Sequence, residues 1–296
     1  MIGYGSIGKK HSRILGKILG SENLHVLSSQ EDIPFNRIDS IDSIDNLNPD
    51  YIVIAKDTSE HLNYINEIES RLENKTVLVE KPLFDKKEKF EGIRNKYFVG
   101  YNLRFHPLLN KLKELIRQKE IYMVNIKCNS YLPNWRQNQD YSQSSSASKN
   151  RGGGVLLDLS HEIDYLMYLV GDIELLFSKN GTISDLRIDS DDHLAVFGNL
   201  KQGGMFQIYS NYFSRNLMRK VEIETKDTSY ELDLLNSNLT VFNSLKKQVI
   251  SRKAFTLEKT YQSIHNDIIN NREDKICNIE EGLKVMEIID QIQSSR

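Results

Sequence analysis

At 296 residues, with 39% hydrophobic and 27% charged residues, the chain is long enough for two domains that each bury a core. Its 39 basic and 41 acidic residues leave a net charge of −2 with no long block of one sign, which argues against nucleic acid and anionic membrane as partners. Two cysteines, Cys128 and Cys277, far apart and without CxxC spacing, point away from a disulfide framework or a zinc or other metal centre; no apolar run approaches the roughly 20 residues of a membrane helix, so a cytoplasmic protein is expected.

The chain opens on Gly3-Tyr-Gly5-Ser6-Ile7-Gly8, the GxGxxG pattern, followed at once by a helical stretch over 9–19. In a dinucleotide-binding fold such glycines permit a tight turn, close approach to a pyrophosphate and close helix–strand packing, with the helix N-terminus facing the anion. Only Met1 and Ile2 precede Gly3, so the first strand is either truncated or unusually short. The next strand, 24–29, ends where an Asp or Glu would hold the ribose hydroxyls of NAD, and Ser28 and Ser29 stand there instead. Without that carboxylate a 2′-phosphate is tolerated, which tilts the expectation slightly from NAD to NADP, although no adjacent arginine confirms it.

After a local surface segment over 37–45, strand 50–55 leads into a helix from about residue 59 with His61, Ile65, Ile68 and Leu72 on one stripe. Strand 76–79 runs into Glu80-Lys81-Pro82, a helix is expected over 86–95, and strand 97–101 leads to Arg104 and His106. This alternation predicts a doubly wound parallel sheet, which binds ligands at the carboxyl ends of its strands. Lys81 sits at one such end, and Pro82 keeps it out of helical geometry, so its side chain can reach a nicotinamide; the plain alternative is a surface lysine. Arg104 can clamp an oxygen-rich substrate or simply pair with a carboxylate.

Beyond a helix at 107–118 and a strand at 121–131, a polar loop over 132–150 carries Trp135, Arg136, Tyr141 and a serine tract, and reads equally as functional or disordered. Three glycines, 152–154, then open a stretch that reads as one helix. Leu156, Leu159, Ile163, Leu166, Met167 and Val170 fall on one arc, with Asp158, His161, Glu162, Asp164, Tyr165 and Tyr168 on the other. The second arc is either a solvated face or, having no lysine, a set of proton-transfer groups. Strand-like runs at 175–183, 193–200, 205–213, 220–225, 230–235 and 239–242 predict an antiparallel meander, and helices over 257–270 and 279–293 finish the chain. An open sheet face of this size suggests a homo-oligomer, a dimer or tetramer.

Four signals now stand in order: Gly3, Gly5 and Gly8 with His11; Glu80-Lys81-Pro82; Arg104-Phe-His106-Pro107; and Gly152-Gly-Gly154 with Asp158, His161 and Asp164. Together they resemble the Gfo/Idh/MocA oxidoreductases over nearly the whole chain. That resemblance implies a Rossmann domain over 1–119, a C-terminal α/β domain with a largely antiparallel open-faced sheet over 120–296, and a nicotinamide cofactor, NADP or NAD, held by Gly3, Gly5, Ser6, Ile7, Gly8, Ser28, Ser29, Glu80 and Lys81. It implies sugar-type substrates, contacted by Arg104, His106, Trp135, Arg136, Asp158 and Glu162. Residues 131–136 with Asp140 and Tyr141 are also similar to members associated with surface-sugar synthesis. By the same resemblance Lys81 hydrogen-bonds the reacting oxygen, His161 moves the proton, and Asp158 assists. Two departures stand out. Asp158 precedes His161 by three residues where the family commonly has four, so counting from the glycines puts Glu162 in the histidine position; and Lys56-Asp57 replaces the usual Thr-Pro after the third strand. An NAD-retaining glycosidase and a non-catalytic sensor of cofactor or sugar are the competing functions.

Overall fold

The computed structural model describes residues 1–92, 94–136 and 139–295. Contacts divide the chain into two compact units, Met1–Asn102 with Glu258–Met286, and Leu103–Leu257 with the residues from Glu287 on. The division expected at 119/120 therefore differs in two ways: the helix after residue 106 belongs to the second unit, and a late segment returns to the first.

In the first unit the order is α1 (Ser6–Leu19), β1 (His25–Leu27), β2 (Asn36–Ile38), α2 (Ser43–Leu47), β3 (Tyr51–Ile54), α3 (His61–Arg71), β4 (Thr76–Val79) and β5 (Lys96–Val99). Strands β3, β4 and β5 pair in parallel, with Ile54 opposite Val79 and Val79 opposite Val99, and β1 pairs in parallel with β2. The strand expected before the glycines is reduced to Ile2, which forms parallel bridges to both Leu27 and Ile54 and so joins the two groups. Val77, Leu78 and Val79 are fully buried, as the continuous apolar runs of a parallel sheet require. The helix expected over 86–95 is absent among the described residues. Residues 86–92 offer Phe90 alone as an apolar anchor, too little to define a buried face, and its ring packs edge-on to Tyr97 at 5.2 Å.

The second unit continues with α4 (Pro107–Ile116), β6 (Ile121–Tyr131), α5 (Val155–Asp158), α6 (His161–Val170), β7 (Ile173–Gly181), β8 (His193–Leu200), β9 (Met205–Asn211), β10 (Phe213–Thr225), β11 (Ser229–Asp233), β12 (Asn238–Phe242) and β13 (Lys247–Ser251). Its eight-stranded sheet runs β13-β12-β11-β10-β6-β9-β8-β7. The pairing is antiparallel except between β6 and β9, so a simple meander is not what forms: β6, far earlier in the chain, inserts between β9 and β10. Alternation along β6 and β9 buries Val124, Ile126, Phe206 and Ile208 on one face. Register places Phe177, Met205 and Tyr209 on the other, where they are exposed.

The chain closes with α7 (Glu258–Ile269), β14 (Cys277–Asn278) and α8 (Ile279–Ser294). In the first unit α7 packs on α1, and β14 extends the parallel sheet by pairing antiparallel with β5, Cys277 opposite Val99. Both cysteines are buried. Among the described residues no helix is long and apolar enough to cross a membrane, and no cluster of His, Cys, Asp or Glu is placed to hold a metal ion.

Candidate active site

The three glycines of the first motif do different work. Gly3 adopts φ +95°, and a Cβ there would lie 2.5 Å from the Ala55 carbonyl oxygen; a Cβ at Gly8 would strike the Gly3 carbonyl. Both are demanded by the packing of the turn itself. A Cβ at Gly5 would meet nothing within 4 Å. Gly5 is also the N-cap of α1, with no side-chain cap and no acid in the first turn, so the amides of Ser6 and Ile7 head a helix terminus suited to an anion. At the carboxyl end of β1, the Gln30 amide donates to Ser28 Oγ at 3.1 Å, and Gln30 Nε2 donates to the Tyr4 carbonyl at 3.0 Å, tying Ser28 and its neighbour Ser29 to the glycine turn. Arg37, seven residues beyond Gln30, reaches the Gln30 carbonyl at 3.5 Å while pairing with Asp39 at 2.6 Å.

Lys81 follows the last residue of β4 and Glu80, and its bond to Pro82 is cis. Glu80 is buried; its Oε1 lies 2.7 Å from His11 Nε2 and its Oε2 accepts from the Lys81 amide at 3.3 Å. Burial alone would raise its carboxyl, but the His11 hydrogen bond and the charges of His11 and Lys81 outweigh that and hold it below the usual range. A Cβ at Gly100 would sit 2.9 Å from Glu80 Oε1, so a glycine there makes the room. His61 fastens the turn from beneath, with Nδ1 3.1 Å from the Pro82 and Leu83 carbonyls and Nε2 3.2 Å from the Lys56 carbonyl. The loop of Lys56 and Asp57 is thereby linked to the lysine turn.

In the second unit the later glycines are set by the chain's own packing. Gly152 and Gly154 have φ +75° and +116°, a Cβ at Gly153 would strike the Ser145 carbonyl, and one at Gly154 would lie 2.5 Å from Asp191 Oδ1. Asp191 occupies that space because it starts α5, its Oδ2 accepting from the Leu156 amide at 2.8 Å. The single helix expected after the glycines is two: α5 ends at Asp158, Leu159 adopts φ −101° and ψ 25°, and α6 begins at His161. Nor is the polar arc solvated, for Glu162, Asp164 and Tyr165 have no exposed surface and His161 is 8% exposed.

Its charges are neutralised from neighbouring elements. Arg219 of β10 donates to both Glu162 oxygens at 2.7 and 2.9 Å, and Tyr165 adds a third bond at 3.1 Å. Arg104 donates from Nε and Nη2 to Asp164 at 3.0 and 2.7 Å, with its guanidinium over the Tyr168 ring. Of the two readings of Arg104, the geometry is that of pairing with a carboxylate. His106 is likewise internal: its Nδ1 accepts from the Leu108 amide as the N-cap of α4, and Phe255 packs edge-on to it. Burial pushes it down to about 4.

That depression carries a pH prediction. His106 is neutral in the folded chain and regains its ordinary value near 6.5 when unfolded, so the unfolded state binds more protons between those limits. Stability should hold above pH 7 and fall as pH drops from about 6.5 towards 4, by on the order of 3 kcal/mol from this residue. Urea midpoints measured against pH test it, and His106→Asn, which can still cap α4, should flatten the slope.

Three further residues converge. Tyr212 donates to Asp158 Oδ2 at 2.6 Å and stacks edge-on with Trp135 at 5.1 Å. Trp135 and Arg136 line a cavity of about 320 Å³ with Asp140, Tyr141, Ser144 and Ser146. The loop around it is not structureless: 3-10 turns at Tyr141–Gln143, Ser145–Ala147 and Lys149–Arg151 follow one another, the first two capped by Asp140 and Ser144. Asp158 and Trp135 are thus brought together, through a tyrosine that sequence reading did not single out. Asp191, Tyr212 and Arg219 were all missed, since each acts on a residue more than 30 positions away.

A family model described as an oxidoreductase family, C-terminal alpha/beta domain, matches residues 113–296. No curated protein matches the sequence. Among solved structures, a levoglucosan dehydrogenase in complex with NADH and levoglucosan aligns with TM-score 0.84 over 99% of this chain and 95% of its own, at 16% identity. A UDP-N-acetylglucosamine 3-dehydrogenase from Acidithiobacillus ferrooxidans aligns at 0.77 over 99% and 95%, at 17% identity. The WlbA dehydrogenase from Bordetella pertussis, in complex with NADH and UDP-GlcNAcA, aligns at 0.78 over 99% and 93%, also at 17% identity. At these identities the likeness is one of fold.

Proposed function

As the chain belongs to the Gfo/Idh/MocA family of oxidoreductases, we propose that it is a cytoplasmic NAD(P)-dependent dehydrogenase or reductase acting on a hydroxyl or carbonyl carbon of a sugar or sugar nucleotide. The observation that carries this reading is the contrast among the first glycines: Gly3 and Gly8 are required by internal packing, whereas a Cβ at Gly5 would meet nothing within 4 Å among the described residues. A side-chain-free residue at an uncapped helix N-terminus is what the close approach of a diphosphate needs.

A bound nicotinamide would give or take the hydride. The chain's residues would then divide the remaining tasks. Gly5, Ser6 and Ile7 hold the diphosphate, and Ser28 and Ser29 meet the ribose; Arg37 beside Gln30 supports a 2′-phosphate, while Asp39 on the same guanidinium offsets part of that charge. Lys81 donates to the reacting oxygen, where negative charge develops. His161 takes or returns the alcohol proton, a task for a group that titrates near neutrality. Glu162 is set aside for that role because both its oxygens are committed to Arg219. Asp158, held by Tyr212, and the Trp135–Arg136 cavity receive the sugar, and the similarity of residues 131–136 to proteins of surface-sugar synthesis supports a substrate of that class. Arg104 and His106 are assigned to the framework. The exposed face with Phe177, Met205 and Tyr209 is assigned a homo-oligomer contact, a dimer or tetramer, which light scattering would reveal.

The test is a titration with NADH and NADPH, following nicotinamide fluorescence, on the wild type and on Gly5→Ala. A methyl at Gly5 has room in the folded chain, so the thermal midpoint should stay within about 2 °C, while cofactor affinity falls by about tenfold or more, roughly 1.4 kcal/mol. Gly8→Ala should do the opposite and lower the midpoint. Undiminished binding by Gly5→Ala would remove the basis of the assignment.

A further inference from the structure

In the first unit, four buried or half-buried polar side chains form one line across the sheet face. Tyr51 OH lies 2.8 Å from His265 Nδ1, His265 Nε2 lies 2.7 Å from His11 Nδ1, and His11 Nε2 lies 2.7 Å from Glu80 Oε1. Glu80 Oε2 then accepts from the Lys81 amide. Tyr51 opens β3 and stands opposite Thr76 of β4, so Glu80 lies four residues further along the same face, roughly 13 Å at about 3.3 Å per residue. That gap is spanned by two imidazoles, one from α1 and one from α7, both essentially without exposed surface.

The atoms leave few choices. With both imidazoles neutral, Tyr51 O–H donates to His265 Nδ1, His265 Nε2–H to His11 Nδ1, and His11 Nε2–H to the carboxylate, so each ring has one tautomer. One added proton on His11 reverses the other two bonds: His11 Nδ1–H donates to His265 Nε2, and His265 Nδ1–H to the tyrosine oxygen. In either state Glu80 is held in the same place. Burial and the nearby charge of His11 push His265 well below its ordinary value, so the pair does not carry two protons. Burial and Glu80 raise Tyr51, keeping its hydroxyl protonated. The other polar groups at this face are His61 of α3, Tyr261 edge-on to His11, and Lys81 itself. Nothing in the local sequence marks Tyr51 or His265, which are 214 residues apart.

We propose that Tyr51, His265 and His11 are positioning residues that act through the Glu80 carboxylate to fix the backbone and charge environment of Lys81. This rests on the functional reading only for what Lys81 does; the relay itself is a statement about Glu80 and the Lys81 amide.

The experiment reads that far end. Hydrogen exchange of the Lys81 amide and the carboxyl carbon titration of Glu80 are followed by NMR in the wild type, Tyr51→Phe, His265→Leu and His265→Gln, with NADH affinity measured on the same samples. His265→Leu should speed Lys81 exchange by about tenfold and raise the Glu80 midpoint by about one pH unit, because burial then acts with a weakened hydrogen bond. His265→Gln, whose amide can still donate to His11 and accept from Tyr51, should return both to wild-type values, which a purely space-filling role would not do. Tyr51→Phe removes one hydroxyl and should give a smaller change of the same sign, and it decides the matter if His265→Leu does not fold. Unchanged exchange and midpoint in Tyr51→Phe and in whichever His265 variant folds would overturn the relay. A wild type that shows the relay but no NADH affinity would overturn the functional reading alone.

Discussion

Lys81→Met should lower turnover on a sugar substrate by about 10²–10³-fold, the loss typical of one donor aimed at a developing oxyanion, while leaving NADH affinity within about twofold. The split is expected because the diphosphate end of the cofactor is assigned to the Gly5 turn, whereas Lys81 is proposed to donate to the reacting oxygen. Methionine keeps the apolar stem of the half-buried side chain, and the Glu80–His11 contact does not involve the lysine Nζ, so the turn should stay folded. His161→Asn should cost about 10²–10⁴-fold through loss of the proton acceptor, with a flattened pH profile. As the two are proposed to serve one proton-and-hydride step, the double variant should fall by less than the product of the single effects. Steady-state kinetics beside fluorescence titration decide it; full activity in either variant would sink the site assignment.

Arg104→Met should be the most destabilising of the substitutions considered. It removes the guanidinium hydrogen bonds from a carboxylate, Asp164, that has no exposed surface, and breaking such a pair from one side costs about 3–5 kcal/mol. Against a total stability of about 5–15 kcal/mol that is a large fraction. The exposed cluster of Arg71 with Asp42, Asp45 and Glu67 offers the comparison, since such solvated pairs contribute about 0–1 kcal/mol. Arg104→Met/Asp164→Leu should recover most of the loss, because no orphaned charge remains. Calorimetry on the three chains is the measurement. A substrate clamp would behave differently: Arg104→Met would raise KM and leave the thermal midpoint in place.

What could be read from the sequence was local or periodic. Alternating apolar runs and helical stripes identified β3, α3, β4 and β5, and the glycines before α1 announced its N-terminus. The polar arc of 158–168 was legible as a pattern but not as an environment. Helical spacing shows that Glu162 and Asp164 leave the apolar stripe; it cannot show that Arg219 and Arg104 wait there to neutralise them. The break between α5 and α6 was hidden for a similar reason, since Asp191, which starts α5, lies 35 residues beyond Leu156. Residues 86–92 carry enough lysine and glutamate to read as helix by propensity, yet lack the apolar face that tertiary packing rewards. His265 was invisible as anything but a helical residue until α7 was seen to return to the first unit.

Ile2 is the narrowest part of the parallel sheet. On one side Leu27 N–H reaches the Met1 carbonyl and Gly3 N–H the Leu27 carbonyl; on the other Ile2 N–H reaches Val53 and Ala55 N–H returns to Ile2. These four hydrogen bonds, centred on Ile2, join β1 to β3. β1 in turn carries the chain into Ser28 and Ser29, which Gln30 ties back to the glycine turn through the Tyr4 carbonyl. A ligand spanning the glycine turn and the end of β1 would press on two points of one hydrogen-bonded backbone path, so the tightness of its grip and the order of this sheet edge would rise together.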